Sequence, residues 1–278
     1  MSTLRDPRRV AAIALLALTG GIVLAFLFAR GELAGSDARA YWVGVRFWLA
    51  GGDPYAPTPP FLPYVYAPWS LYLFLPWALL PWEIAWFVWR ALNVALFAWS
   101  VAWAYERRPL ATALVIAALG PSIAANFDTG NVNVAIVLGV WAAFFVGPAA
   151  GGLLWAIGAA MKWVPAVLIL FIPPRARAWG VGFAAVLLVL TLATWPQTLR
   201  QIDIAFNFPR PFRLDYLILA WAAVPWLWHQ PWPPDWLRPS HVRRALARPW
   251  HPYRRLRAFL GLRAGTTDTS TSDAPTDR

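Results

Sequence analysis

Between Arg9 and Arg30 the chain runs through residues 10–29 without one charged side chain. As a helix that run is about 30 Å long, the thickness of a bilayer's hydrocarbon core. Similar runs recur along the sequence, and they point to a polytopic, all-α membrane protein. Composition agrees: 59% of the 278 residues are apolar and 13% are charged, against about 25% charged in soluble domains. A basic start followed by an apolar stretch also describes a secretory signal. The run is long for one, and no small-x-small cleavage pattern precedes Arg30-Gly31-Glu32. It therefore reads as a retained anchor with a cytoplasmic N-terminus.

The net charge of +11 is not distributed as a nucleic-acid surface would be. Arg5, Arg8 and Arg9 precede the first span, and eight arginines lie between 238 and 263. That is the positive-inside pattern at both ends, so membrane lipids, and no nucleic acid, are the expected partners of these residues. Without cysteine the chain can form no disulfide, thiolate metal site or cysteine nucleophile. No phosphate-cradling glycine motif is present, and His229, His241 and His251 all fall in the basic tail, so no metal or other cofactor is expected.

Apolar segments at 10–29, 65–80, 82–104, 109–125, 131–147, 151–172, 178–195 and 214–228 make about eight spans. An even count puts both basic termini and the Arg175/Arg177 turn on the cytoplasmic side, while Arg107 and Arg108 fall on the other. The segments 65–80 and 109–125 are short enough to be re-entrant. Residues 1–228 thus read as one membrane domain. Residues 229–263 read as a basic segment lying on anionic headgroups, and 264–278 as a disordered tail.

The first outer loop, 30–64, is the most polar stretch so far. Ser36 is placed to cap a helix over 37–50, with Asp37 in its first turn. Tyr41, Trp42, Val45, Trp48 and Leu49 form an apolar band, and Arg39 and Arg46 share a face. This is the pattern of an amphipathic helix in the interface plane. Gly51-Gly52 ends it, and Asp53-Pro54-Tyr55 makes a turn. A second outer loop, 196–213, carries Asp203, Arg210 and Arg213.

Three features could carry chemistry. Asp37 is either a helix-end charge in a solvated loop or a general base at the outer face, where a carboxylate can take the proton of an attacking sugar hydroxyl. Lys162, the only lysine, lies within an apolar segment. It either reaches an interface, pairs with Asp128 or a backbone carbonyl, or supplies a cation for a lipid phosphate. The knot Asn126-Phe127-Asp128-Thr129-Gly130-Asn131-Val132-Asn133 is either an ordinary loop or a polar cavity wall. Arg90 and Asn93 read as interhelical contacts. Asp203, Arg210, Arg213 and Asp215 either line the outer site or are ordinary solvated loop charges.

In order along the chain these features resemble glycosyltransferase family 87, the polyprenyl-phosphate-mannose-dependent mannosyltransferases of the GT-C superfamily. The resemblance rests on Asp37 and Tyr41 in the first outer loop and on the turn Gly52-Asp53-Pro54-Tyr55. It continues through Tyr66-Ala67-Pro68, where the family has Tyr-Pro-Pro, and Gly130-Asn131-Val132-Asn133, where it has Gly-Gln-x-Asn. It ends with Lys162 and Pro165, and covers about residues 10–195.

The resemblance implies a GT-C-like bundle in the bacterial inner membrane, acting as a hexosyltransferase. Asp37 would be the general base. The substrates would be a sugar, mannose first, on polyprenyl phosphate at the outer face, and a glycolipid or glycan hydroxyl that attacks with inversion. Lys162 ranks first, ahead of Arg39 and Arg213, as the cation for the leaving phosphate. Tyr41, Asp53, Tyr55, Tyr66, Asp128, Asn131 and Asn133 would help bind substrate. Family members carry more spans, so a protein partner supplying them, or an inactive scaffold, stands as an alternative, as does a transporter of lipid-linked substrate.

Overall fold

A computed structural model describes residues 6–31, 34–56, 61–207 and 214–229, and every regular element among them is helical. The basic segment and tail read at 229–263 and 264–278 therefore lie, apart from His229, outside the described residues. So does Arg213.

The first span is α1 (Pro7–Arg30), started by Pro7 and by the Asp6 carboxylate, which accepts from the Arg8 N–H at 3.0 Å. Helix α2 (Ser36–Leu49) follows. Ser36 is its first residue and not its cap, because Gly35 occupies the cap in the left-handed region (φ 88°), where the rings of Trp82 and Trp86 would lie a tight 3.3 Å from a Cβ. The apolar band of α2 is split. Ala38, Ala40, Tyr41, Val43 and Val45 are buried against the protein, and Arg39, Arg46, Phe47 and Leu49 are exposed.

The 65–80 segment forms a 3-10 turn, Pro68–Ser70, and the eight-residue α3 (Leu71–Ala78). At about 1.5 Å per residue, α3 is too short to cross a bilayer alone. Next come α4 (Trp82–Arg107), α5 (Pro109–Thr129), α6 (Asn133–Phe145) and α7 (Pro148–Met161). α7 stops at Lys162, whose backbone is extended, and a 3-10 segment, Val164–Phe171, continues the run. Pro165 lacks the N–H that an α-helix would need there.

After α8 (Pro174–Ala193), the stretch read as an outer loop instead holds α9 (Trp195–Asn207). Trp195, Leu199, Ile202 and Phe206 fall on one face of it. Its other side is tied down by Gln201, which donates to the Val65 carbonyl at 2.9 Å, and by an ion pair between Arg200 and Asp53. The last described part is a 3-10 segment, Leu214–Ala223, running into α10 (Val224–His229).

Among the described residues, α1, α4, α5 and α8 are long and apolar enough to cross a membrane. The other four segments read as spans form shorter or broken helices. The chain is a membrane protein whose bundle closes through small residues. A side chain at Gly151 would strike Ala143 of α6, and one at Gly152 would lie 2.6 Å from the Ala176 carbonyl of α8. Such contacts let helix backbones approach closely where lipid offers no hydrophobic drive. Gly152→Leu is expected to destabilise the protein by about 2 kcal/mol or more. The readout is the unfolding temperature in detergent. Gly182→Leu, which faces open space on α8, is expected to leave it unchanged.

Candidate active site

Five helix ends meet at one end of the bundle. α1 finishes at Arg30, whose guanidinium pairs with the Asp128 carboxylate at 3.0 Å near the end of α5. The Asp128 carbonyl accepts from the Gly35 N–H at 2.6 Å, which fixes the start of α2. α5 ends on Gly130 in the left-handed region (φ 69°), and a side chain there would lie 2.7 Å from both Ala38 and Trp86. α2 therefore crosses the α5–α6 turn at close range, with Asp37 turned inward. The break after α7 delivers Lys162 to the same place.

The polar centre is built on Asn131. Its Oδ1 accepts from Lys162 Nζ at 2.7 Å and from the Asn133 backbone N–H at 3.1 Å. An ammonium can only donate, so Lys162 decides which end of the amide faces it. The NH2 end is thereby turned to the carboxylates. Asn131 Nδ2 donates to Asp37 Oδ2 at 2.5 Å and to Asp215 Oδ2 at 3.4 Å. Lys162 also donates to Asn133 Oδ1 at 2.9 Å and sits 5.0 Å over the Tyr216 ring. Asp37 and Lys162 are each 7% exposed and Asp215 is 6% exposed. These charged groups are buried, and the Asn131 amide hydrogen-bonds all three.

Behind α2 lies an aromatic wall. The Tyr41 and Tyr66 hydroxyls are 3.1 Å apart, Tyr55 donates to the Tyr66 carbonyl at 2.9 Å, and Tyr64 bonds Ser70 Oγ at 2.6 Å. Tyr41 also stacks on Phe74, with ring centroids 4.8 Å apart. Burial pushes the phenols of Tyr41, Tyr55 and Tyr64 above their ordinary value, and for Tyr41 the neighbouring Tyr66 and Asp37 add to the effect.

Of the residues singled out in the sequence, Asp37, Asn131, Asn133 and Lys162 come together, with Tyr41, Tyr55 and Tyr66 as the wall. Three do not join them. Asp128 pairs with Arg30 rather than Lys162. Asp53 caps its own turn through the Tyr55 N–H at 3.0 Å and pairs with Arg200. Arg39 is exposed, its guanidinium 4.8 Å over the Trp82 ring. Of the two readings of Asp215, lining the outer site or a solvated loop charge, the structure supports the first: it lies buried in the centre. Its signal was indirect: Ser122 and Asn126, four apart on one face of an apolar helix, need a polar partner. The described residues contain no cluster of three His, Cys, Asp or Glu that could hold a metal.

Residues 64–212 match glycosyltransferase family 87. No curated protein and no solved structure matches the chain. The matched stretch contains Asn131, Asn133 and Lys162. Asp37 precedes it and Asp215 follows it.

Two expectations come from this geometry. A methyl group at Gly130 meets both a disfavoured φ and two side chains, so Gly130→Ala is expected to push α2 off the α5–α6 turn. Amide exchange over residues 36–45 should then speed up at least about tenfold; unchanged protection there would contradict this packing. The raised phenols stabilise the fold fully below about pH 10, and that contribution is lost as pH rises above it. Tyrosinate absorbance should therefore show Tyr41, Tyr55 and Tyr64 protonated past their usual range until the protein unfolds. Replacing all three by Phe should remove only the late, unfolding-linked part of that titration.

Proposed function

The chain belongs to glycosyltransferase family 87 and is a membrane glycosyltransferase. From that premise we propose that it moves a sugar, mannose first, from polyprenyl phosphate to a hydroxyl of a glycolipid or glycan acceptor, with inversion. The observation that carries this reading is the Asp37 carboxylate, buried and held at 2.5 Å by Asn131 beside the buried Lys162.

Asp37 acts as the general base. As the acceptor oxygen bonds to the anomeric carbon, its proton passes to the carboxylate. The bond from that carbon to the phosphate oxygen breaks, and its electron pair leaves with polyprenyl phosphate. Asn131 fixes one carboxylate oxygen, which removes a rotational freedom that would otherwise be lost on the way to the transition state. Lys162 supplies positive charge near the departing phosphate, and a preorganised cation in a dry site stabilises such charge well. The aromatic wall of Tyr41, Tyr55 and Tyr66 keeps water from competing with the acceptor.

The side of the membrane follows from charge. Arg8 and Arg9 stand at the start of α1, and the cluster lies at its finish. With basic residues inside, the site faces outward, in the inner membrane, with the N-terminus cytoplasmic. α2 rests its exposed Arg39, Arg46, Phe47 and Leu49 on the headgroup layer.

The test is transfer by reconstituted protein, with radiolabelled polyprenyl-phosphate-mannose as donor and the host's own lipid extract as acceptor. Wild type is expected to form a labelled product, and Asp37→Asn to lose about a hundredfold or more of the rate while remaining folded. Normal transfer by Asp37→Asn would remove the base assignment.

A further inference from the structure

The position of residue 215 is over-determined in a way that the base mechanism does not use. The Asp215 backbone carbonyl accepts from Asn126 Nδ2 at 2.8 Å, from Ser122 Oγ at 3.0 Å and from Asn133 Nδ2 at 3.4 Å. Ser122 Oγ also accepts from the Ile218 N–H at 2.9 Å. Three polar side chains from two helices thus hold one loop-side residue in place through its backbone. What they hold is a carboxylate on the same amide as Asp37. Their two Oδ2 atoms lie 2.5 and 3.4 Å from one nitrogen and so within about 6 Å of each other, a gap that one sugar ring can bridge with ordinary hydrogen bonds.

The carboxylate is incompletely used. Asp215 Oδ1 is buried with no hydrogen-bond partner among the described residues, and so is Oδ1 of Asn126, the residue that holds Asp215. The orientation of Asn126 is settled, because its NH2 group donates to the Ser122 and Asp215 carbonyls. Both orphan atoms are therefore acceptors. A buried acceptor left without a donor is costly, so native proteins rarely keep one without a reason. A phosphate, rich in acceptor oxygens, is the wrong complement. A polyhydroxyl ring, which can donate at several points, is the right one.

We propose that Asp215, supported by Asn126, is a binding residue for the acceptor sugar. It accepts a hydrogen bond from a second hydroxyl of the same ring whose reacting hydroxyl faces Asp37. This rests on the reading of Asp37 as the base. It gives the two carboxylates different work: Asp37 receives the proton, and Asp215 sets which ring, and which of its hydroxyls, can be presented. Asp215 lies outside the stretch that matches the family, at 64–212.

The experiment is the reconstituted transfer reaction run over a dilution series of host lipid extract, with radiolabelled polyprenyl-phosphate-mannose, for wild type, Asp215→Asn and Asp215→Glu. Because the backbone of residue 215 is held independently of its side chain, Asp215→Asn should unfold at the wild-type temperature. Its half-saturating extract concentration should rise about ten- to hundredfold, with a smaller change in maximal rate and none in donor concentration dependence. Asp215→Glu, which keeps the acceptor oxygens, should recover part of the loss. An unchanged extract dependence would overturn the assignment alone and mean that water satisfies Oδ1. So would a loss confined to the maximal rate or to donor dependence. No transfer by wild type would instead remove the function on which the inference rests.

Discussion

The bond from Lys162 to the Asn131 side-chain oxygen is the interaction on which the site depends. A lysine buried in a membrane bundle must be compensated, and the Asn131 amide is one of the groups that do so here. Because the ammonium can only donate, it sets the amide; because the amide is set, its NH2 must face Asp37 and Asp215. The amide thus orients both carboxylates on one side and the ammonium on the other.

The helix breaks serve this arrangement. Lys162 reaches Asn131 because α7 ends in extended backbone ahead of Pro165, and not in a further helical turn. Asp37 reaches it because Gly35 and Gly130 both take the left-handed conformation and both lie against tryptophan rings. Non-helical backbone at this depth is tolerable only where it lines a polar site buried in protein. Each irregular residue near the cluster is thus accounted for by what it positions.

Much of this was legible in the sequence, for reasons that particular residues make plain. Four of the eight apolar segments read as spans are long and apolar enough to cross a membrane, and Asp37, Asn131, Asn133 and Lys162 stood out because polar residues amid apolar ones are costly. The partners were harder. Asp128 looked like a mate for Lys162, but Arg30, at the far end of a different helix, takes it; periodicity says which face a residue occupies and nothing about which helix meets that face. Asp215 was ambiguous because a carboxylate between an apparent loop and an apolar run can equally be solvated. α9 reads as loop because Gln197, Arg200, Gln201 and Asp203 make the segment polar as a whole, although Trp195, Leu199, Ile202 and Phe206 keep helical spacing. The 65–80 segment read as a span on hydrophobicity, while the 3-10 turn begun at Pro68 and the turn at Pro81 leave only a short helix between them.

The most direct measurement is an experimental structure in a lipid nanodisc with a non-transferable phosphonate analogue of polyprenyl-phosphate-mannose. If the site works as described, the anomeric carbon will face Asp37, with the phosphonate on the Lys162 side and Asn131 still between them. A headgroup bound away from Asp37, with the cluster undisturbed, would show that the buried carboxylates and lysine hold the bundle together and do not carry the reaction.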